Sequence, residues 1–321
     1  MAVPAATLET YDMTTIREDL SDAENMITPT ETPFISMIAG STKVTHILHE
    51  WPLTELGAVD LTNKVAEGEN APTVDAPVVS SRRSNYTQIS DKMVTVSDTS
   101  QRVDAAANIE DLAKQMSYKL KELKRDKESI VLSKQVASAG ASGTARTTAG
   151  FYSFLITNAS RGALGTVPTL SGTTAGYPNA AGTDGTDRAL TEDMFNAVIQ
   201  ACWDSGAEPK YALVTSTHKK AISRTFTGYA TKYKSADDKK LINAIDVYES
   251  DFGQLQIVPD RFMLANTIYL IDPSYVSIGN LQPTRQIELA RTGHAQNRLI
   301  QSEWLLEVGN EKAHGVVADL L

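Results

Sequence analysis

The sequence predicts an α+β protein with two projecting segments and a compact α/β body. Three observations support this prediction: a long amphipathic helix over about 103–136, a ribbon-like stretch over 44–97, and alternating short helices and strands over 191–261. Apolar residues at helical spacing predict the helix, and strand-favouring residues at both ends predict the ribbon. The projecting segments have too little apolar surface to form a core alone, so we expect other chains to cover them.

Composition limits the class of protein before any motif is considered. The chain has 321 residues, of which 41% are hydrophobic and 21% charged, values typical of a globular protein. Its formal net charge of -9 argues against broad, sequence-independent binding to nucleic acid. The single cysteine, Cys202, excludes an internal disulfide and favours a reducing cytoplasm. The sequence has neither a signal-peptide pattern nor the roughly 20 apolar residues of a membrane span, so we expect no membrane partner.

Residues 1–43 are predicted to form an N-terminal arm. The first forty residues contain seven acidic side chains and one basic side chain, Arg17. Scattered apolar residues among so many charges cannot form a core, which indicates a segment that lies on another surface. Pro29 and Pro33 break helical structure near its end, and Phe34 is available there to dock.

Residues 44–97 are predicted to form an extended loop. Two strand-like legs, "THILHEWPLTEL" and "NYTQISDKMVTVS", enclose a polar middle punctuated by glycine and proline. His46, His49 and Glu50 in the outgoing leg are residue types that bind metals. Residues three apart in a strand point to opposite faces, however, so the two histidines should not converge on one ion. We therefore expect structural roles for them and predict no metal or cofactor.

The remaining elements follow in chain order. The helix over about 103–136 would be a spine roughly 45–50 Å long. Residues 151–190, rich in Gly, Thr and Ala, are expected to be a surface insertion with a short strand at "FYSFLIT". Over 191–261 the pattern is compact α/β, beginning with a helix that Thr191 caps and Gly206 ends. Near the end, "RLIQSEWLLEV" alternates as a strand that closes a sheet.

Catalytic motifs are nearly absent. The phosphate-binding loop, the dinucleotide fingerprint, the zinc-protease motif, paired Cys-x-x-Cys and the nucleophile elbow are all missing. The run from Ser216 to Lys219 fits Ser-x-x-Lys, in which the lysine helps to activate the serine, but the companion Ser-x-Asn motif is missing. A helix start capped by Ser216 or Thr217, with Lys219 in solvent, is favoured. The sequence therefore predicts no enzyme; serine acyl transfer is the disfavoured alternative.

The order of these parts resembles the major capsid proteins of tailed bacteriophages with the Hong Kong 97-type fold, in the group without a fused scaffolding segment. The similar stretches are "TPTETPFISMI", "HEWPLTEL", "VAEGENAP", "RTTAGFYSFLITN" and "TGHAQNRLIQSEWLLEVGNEKAHGVVADL". The resemblance implies that the extended loop lies over a neighbouring subunit. It also implies a peripheral domain, 98–150 with 262–321, that contains the spine helix, and an axial domain, 191–261, around five-fold and six-fold axes.

The resemblance further implies hexamers and pentamers that form an icosahedral virion head, assembled in the bacterial host cytoplasm, around double-stranded DNA without sequence-specific binding. Since no charged pro-segment is visible, a separate scaffolding protein is expected, together with a portal protein and a candidate decoration protein on 151–190. An encapsulin-like shell around protein cargo is the alternative. Trp51 and Leu53 are expected to anchor the base of the extended loop. The expected inter-subunit contacts are Phe34, Trp51, Leu53, Glu67, Arg82 and Arg83.

Overall fold

The computed structural model describes residues 27–38, 40–68, 77–103, 111–172, 176–226, 247–291 and 293–321. The first 26 residues of the predicted arm, the tip of the predicted loop and the start of the predicted spine helix therefore lie outside the described residues. Among the described residues, no helix combines the length and the apolar character that crossing a membrane requires.

The described residues form the following α-helices and β-strands. The helices are α1 (Pro33–Met37), α2 (Asp111–Leu132), α3 (Glu192–Asp204) and α4 (Ser216–Thr225). The strands of the first half are β1 (Ser41–Lys43), β2 (Leu48–Leu53), β3 (Ser81–Tyr86), β4 (Gln88–Ser97), β5 (Ala159–Ser160), β6 (Thr169–Leu170) and β7 (Pro178–Ala180). The strands of the second half are β8 (Tyr211–Val214), β9 (Val247–Ser250), β10 (Gly253–Pro259), β11 (Ile268–Ile271), β12 (Val276–Glu288), β13 (Ala295–Val308) and β14 (Gly315–Val317).

A four-stranded sheet packs against the spine helix α2. Its order is β1-β12-β13-β4, so the predicted C-terminal strand is confirmed as β13 but is internal to the sheet. It pairs antiparallel with β12 on one side and with β4 on the other. Lys92 on β4 and Asp126 on α2 form an ion pair at 2.6 Å. The apolar contacts between helix and sheet come from Val94, Val96, Met116, Leu123 and Ile300.

A six-stranded sheet forms the second layer, in the order β5-β14-β11-β8-β10-β9. Helix α3 is capped by the Thr191 side chain, and Gly206 follows it with a φ of +86°, as the sequence predicted. Strands of this sheet come from the predicted insertion, the predicted axial domain and the predicted peripheral domain. The predicted boundaries at 190 and 261 therefore do not separate packing units, because β5, β11 and β14 complete a sheet begun by β8 to β10.

The start of the predicted surface insertion is instead part of the main core. "FYSFLIT" begins with a 3-10 helix, Phe151–Phe154, where a strand was expected, and its side chains are buried. The backbone packs tightly at this point, since a Cβ on Gly150 would lie 2.2 Å from the carbonyl oxygen of Ser133. This close approach brings the aromatic side chains against the end of α2. The sequence did not indicate it, because aromatic residues among Gly, Thr and Ala have no helical or strand periodicity.

The extended loop returns earlier than the sequence predicted. Strand β2 pairs antiparallel with β3, from Leu48 opposite Tyr86 to Leu53 opposite Ser81. Most of β3 was assigned to the polar middle of the loop, whereas β4, the predicted returning leg, joins the four-stranded sheet. The helix α2 also ends at Leu132, four residues before its predicted end at 136, and the Ser133 hydroxyl then donates to the Ile130 carbonyl at 2.7 Å.

Candidate subunit interface

The base of the β2–β3 ribbon is anchored by apolar side chains of β2. Trp51 is 5% exposed and its ring lies 6.2 Å from that of Phe154, in the main core. Leu53, two residues later on the same face, is 8% exposed. Both were expected to anchor the loop and to contact a neighbour. Their burial within their own subunit makes them anchors that hold the ribbon, and leaves little of their surface for another chain.

A buried asparagine fixes the returning strand. The Asn85 Nδ2 donates to the Thr148 hydroxyl at 2.9 Å and to the Leu306 carbonyl at 2.7 Å. Its Oδ1 accepts the backbone N–H groups of Ala149 and Tyr86, each at 2.9 Å. Sequence reasoning missed this residue, for which the only signal was a glycosylation-like triplet. A fully bonded buried amide at this position ties the ribbon to two distant parts of the body.

The outer part of the ribbon is exposed throughout. Residues 54–68 and 77–80 contain no strand and no buried side chain. Asp60 accepts the N–H and the hydroxyl of Thr62 at 2.7 and 2.6 Å, and these hydrogen bonds hold the pKa of Asp60 below its usual range. The large apolar side chains exposed on this stretch are Leu56 (88%), Val59 (87%), Leu61 (94%), Val65 (70%), Val78 (52%) and Val79 (82%). Such a concentration of apolar surface is typical of an interaction site.

Charged residues border the ribbon. Arg82 on β3 and Glu50 on β2 form a diagonal pair with an Nη1–Oε2 distance of 3.1 Å, and both side chains are substantially exposed. Glu67 is exposed on the outer stretch, and Arg83 is partly buried opposite Trp51. Exposed pairs of this kind stabilise a subunit by at most about 1 kcal/mol. Their expected role between subunits, for Glu67, Arg82 and Arg83 alike, stays a prediction.

Phe34 lies at the point where the arm reaches the body. Its ring is 1% exposed and packs edge-to-face on Phe151 with centroids 5.3 Å apart. The backbone N–H groups of Phe34 and Ile35 donate to the carboxylate of Glu128 on α2 at 2.7 and 2.9 Å. Phe34 was expected to contact another subunit. Its side chain belongs to the core of its own subunit and secures the end of the arm there.

The Ser-x-x-Lys run forms a helix start, as expected, with one difference. Thr215, rather than Ser216 or Thr217, is the cap residue, and its hydroxyl accepts the His218 N–H at 3.3 Å. Lys219 was expected in solvent, but its ammonium donates to the Ile257 carbonyl at 3.1 Å. This bond links α4 to β10, which is a structural role.

The histidines of β2 and its approach are placed separately. The His46 Nδ1 accepts the Leu48 N–H at 3.3 Å, and the His49 Nε2 lies 3.6 Å from a carboxylate oxygen of Glu307. Within the described ranges, no group of three or more His, Cys, Asp and Glu side chains is arranged to hold a metal ion. The ribbon with its exposed apolar outer stretch is therefore the candidate site, and its surface is suited to binding another protein surface.

Comparison with known proteins agrees with this assignment. The family model of the SU10 major capsid protein matches residues 6–321. The chain belongs to this family. It is 26% identical to the major capsid protein of Escherichia phage Phieco32, over 96% of this chain and 95% of that relative. As a member of the family it is a phage major capsid protein, which associates with copies of itself into the icosahedral capsid of the virion.

Solved structures show the same fold. The Cyanophage A-1(L) capsid asymmetric unit has a chain that matches with a TM-score of 0.67 and 16% identity, covering 98% of this chain and 99% of that one. The holo-SrpI encapsulin complex from Synechococcus elongatus PCC 7942 matches with a TM-score of 0.57 and 12% identity, over 98% and 96%. The predicted α+β, Hong Kong 97-type capsid fold is confirmed. Encapsulins share it, but the family and the curated relative favour the phage capsid.

Proposed function

We propose that this capsid protein forms hexamers and pentamers in which the outer ribbon of each subunit lies over a neighbouring subunit. The observation that supports this proposal is the exposed apolar stretch of residues 54–68, which no part of its own subunit covers within the described chain. A long loop with exposed apolar side chains is typical of an interaction site, so we expect a second surface to cover these side chains.

The energetic argument depends on repetition. Burying one Val or Leu side chain stabilises by about 1.5–3 kcal/mol, so Val59 and Leu61 together contribute only a few kcal/mol to any one contact. Association in solution costs at least as much in lost translational and rotational freedom. In a closed shell each subunit is held at several such contacts at once, and the effective concentration of neighbours multiplies the individual affinities.

The finished head would enclose double-stranded DNA without sequence-specific binding. The net charge of -9 fits a wall that does not adhere to the packaged polyanion. We further propose a separate scaffolding protein, a portal protein and a decoration protein as partners, assembly in the host cytoplasm, and no catalytic activity. Strong binding of free subunits to duplex DNA at physiological salt would contradict the proposal that the wall does not adhere to packaged DNA. Normal-sized heads assembled from this chain alone would contradict the need for a scaffolding protein.

The test is a double substitution, Val59→Ser with Leu61→Ser, in the full chain. We expect the unsubstituted protein to sediment as capsomers or shells that negative-stain electron microscopy resolves, and the variant to remain as free subunits with an unchanged urea midpoint. The matched control, Val59→Ile with Leu61→Met, keeps apolar surface and should assemble. Normal assembly of the serine variant would contradict the proposed role of the ribbon. Copurified protein cargo in place of nucleic acid would favour an encapsulin-like shell.

A further inference from the structure

Two buried carboxyl groups meet beneath the arm root, by which we mean residues 31–38. Glu128 on α2 is fully buried, and Asp260, directly after β10, is 3% exposed. Both oxygens of Glu128 are occupied by the arm root, since Oε1 accepts the Phe34 N–H at 2.7 Å and Oε2 the Ile35 N–H at 2.9 Å. The hold of α2 on the arm root therefore depends on the charge state of this carboxyl group.

Asp260 has one oxygen that lacks a donor. Its Oδ1 accepts the Phe262 N–H at 2.8 Å. Its Oδ2 is buried and receives no N–H or O–H from any residue that the structure describes. The carboxyl group of Glu128 lies within hydrogen-bonding contact of Asp260, and this contact opposes the rise in the pKa of Asp260 and adds to that of Glu128. Two carboxylates in contact would repel each other strongly in a buried site, whereas one proton between them satisfies Oδ2 and leaves a single negative charge.

We propose that Glu128 and Asp260 share one proton, and that this proton is a latch that holds the arm root on the spine helix. Loss of the proton to water breaks only its O–H bond and leaves two adjacent buried carboxylates. Their repulsion is relieved when the arm root leaves α2 and water reaches the pair. The fully deprotonated subunit therefore releases the arm root, and the singly protonated one retains it.

Among the described residues, no basic side chain is one of the groups that shift the pKa of Glu128 or of Asp260. The guanidinium of Arg125, one turn before Glu128 on α2, lies over the Phe262 ring at 5.9 Å. The neighbouring lysines, Lys124 and Lys127, line a groove together with Ile35 and Ile38 of the arm root. Burial lowers the pKa of Lys127 to about 8, so the substitutions at the carboxyl pair are needed to separate its titration from theirs. On the remaining side, Asp260 lines an open cavity together with Glu31 and Arg261, both exposed, and this cavity provides the route by which the proton reaches solvent.

The pH range of the latch follows from the environment of the pair. Burial raises the pKa of Glu128 to about 8; the N–H of Ile35 opposes this shift, and the charge of Asp260 adds to it. Burial also raises the pKa of Asp260. Because the docked form binds its proton more tightly than the undocked form, docking is strongest at low pH and weakens as pH rises towards 8. Between pH 7 and pH 9 the docking equilibrium should fall about tenfold.

The latch is tested by hydrogen exchange at the arm root. In the full chain, the protection of the Phe34 and Ile35 amides is measured between pH 6 and pH 9 and divided by the intrinsic exchange rate at each pH. We expect protection in the unsubstituted protein to fall about tenfold from pH 7 to pH 9. Protection that stays constant over this range overturns the proposal.

Two substitutions at the pair and one control sharpen the test. In Asp260→Asn, the amide Nδ2 replaces the shared proton as donor to Glu128, so protection should stay high and become independent of pH. In Glu128→Gln, one accepted N–H is lost, so protection should be lower at pH 7 and equally independent of pH. The matched control is Glu311→Gln: Glu311 is a buried carboxylate that also accepts two backbone N–H groups, from Ile156 and Thr157, but its hydrogen bonds include no second carboxyl group.

The control should retain the pH dependence of the unsubstituted protein. If Asp260→Asn retains it as well, the shared proton is not the cause and the proposal fails. In a shell, the latch would make docking of the arm respond to pH, a consequence that rests on the proposed function. Exchange on the subunit and electron microscopy of shells report the two separately, so failure of one is distinguishable from failure of the other.

Discussion

The C-terminal stretch 300–320 and the outer ribbon 54–68 have opposite relations to water. In the first, Trp304, Leu305 and Leu306 are fully buried in the subunit. In the second, every residue is exposed, including Val59 and Leu61. Both stretches contain valines and leucines, so apolar composition does not account for the difference. The C-terminal stretch lies in the sheets, with strands on both sides of β13, whereas within the described residues the ribbon beyond Leu53 pairs with no strand and leaves its side chains exposed.

The difference separates two kinds of stability. Apolar surface in 300–320 leaves water when the subunit folds, so a substitution there changes the free energy of unfolding. Apolar surface in 54–68 is still in water after folding, so a substitution there changes the free energy of association only. We therefore expect substitutions at buried positions to lower the free energy of unfolding most, and substitutions on the ribbon to change it least.

The largest effect is expected at Trp304, at the centre of the buried stretch. Its indole N–H donates to the Ser90 hydroxyl at 3.0 Å, and the ammonium of Lys127 lies 5.5 Å from its ring. Trp304→Ala should lower the free energy of unfolding by about 3–5 kcal/mol, because it leaves a large cavity. Urea unfolding followed by circular dichroism measures this. Leu61→Ala is the control, with a change under about 0.5 kcal/mol; equal losses at both positions would break the comparison.

Asn85→Ala should have the next largest effect. The substitution leaves the Leu306 carbonyl and the Ala149 N–H buried without this partner, which costs about 2–3 kcal/mol. Asn179, which accepts a hydrogen bond from the exposed hydroxyl of Thr169, is the matched control, and Asn179→Ala should change the urea midpoint little. A loss below about 0.5 kcal/mol at Asn85 would show that the ribbon base is not tied to the body through this amide.

Acid should destabilise the buried stretch through His314. Burial lowers the pKa of this imidazole to about 4, and its Nδ1 accepts the Asp272 N–H at 3.3 Å. The folded form binds the proton less well than the unfolded form, so stability falls as pH decreases from about 6.5 towards 4, by up to about 1.4 kcal/mol per pH unit. His314→Gln should flatten this slope in urea titrations at several pH values. His46→Gln, on the exposed approach to β2, should leave it unchanged; an unchanged slope in both variants would contradict the assignment.

The smallest effect on the subunit is expected at Arg82. Its ion pair with Glu50 is exposed, so Arg82→Ala should change the free energy of unfolding by less than about 0.5 kcal/mol. If Arg82 contacts a neighbouring subunit, the same variant should assemble only at higher protein concentration, which sedimentation measures. The control is Arg82→Lys, which keeps the positive charge and should assemble more readily than Arg82→Ala. Unchanged assembly in Arg82→Ala would remove this residue from the interface.

The candidate site was predictable in outline and not in detail. Strand-favouring legs around a polar middle predicted a projecting ribbon, and Trp51 and Leu53 were expected at its base. The sequence did not predict that the outer apolar side chains are exposed, because single valines and leucines in a polar run have no helical or strand periodicity. Asn85 and the pair of Glu128 with Asp260 were equally invisible, since their partners are separated from them by tens to hundreds of positions along the chain.

What the sequence by itself determined is local. The spine helix, the cap at Thr191 and the strand β13 follow from spacings within a few residues, because helical and strand periodicities depend on near neighbours. Only the tertiary structure decided which strand pairs with β2, that Phe34 and Phe151 share one core, and that two carboxyl groups meet beneath the arm root. These depend on contacts between distant segments, whose free energies no local pattern encodes.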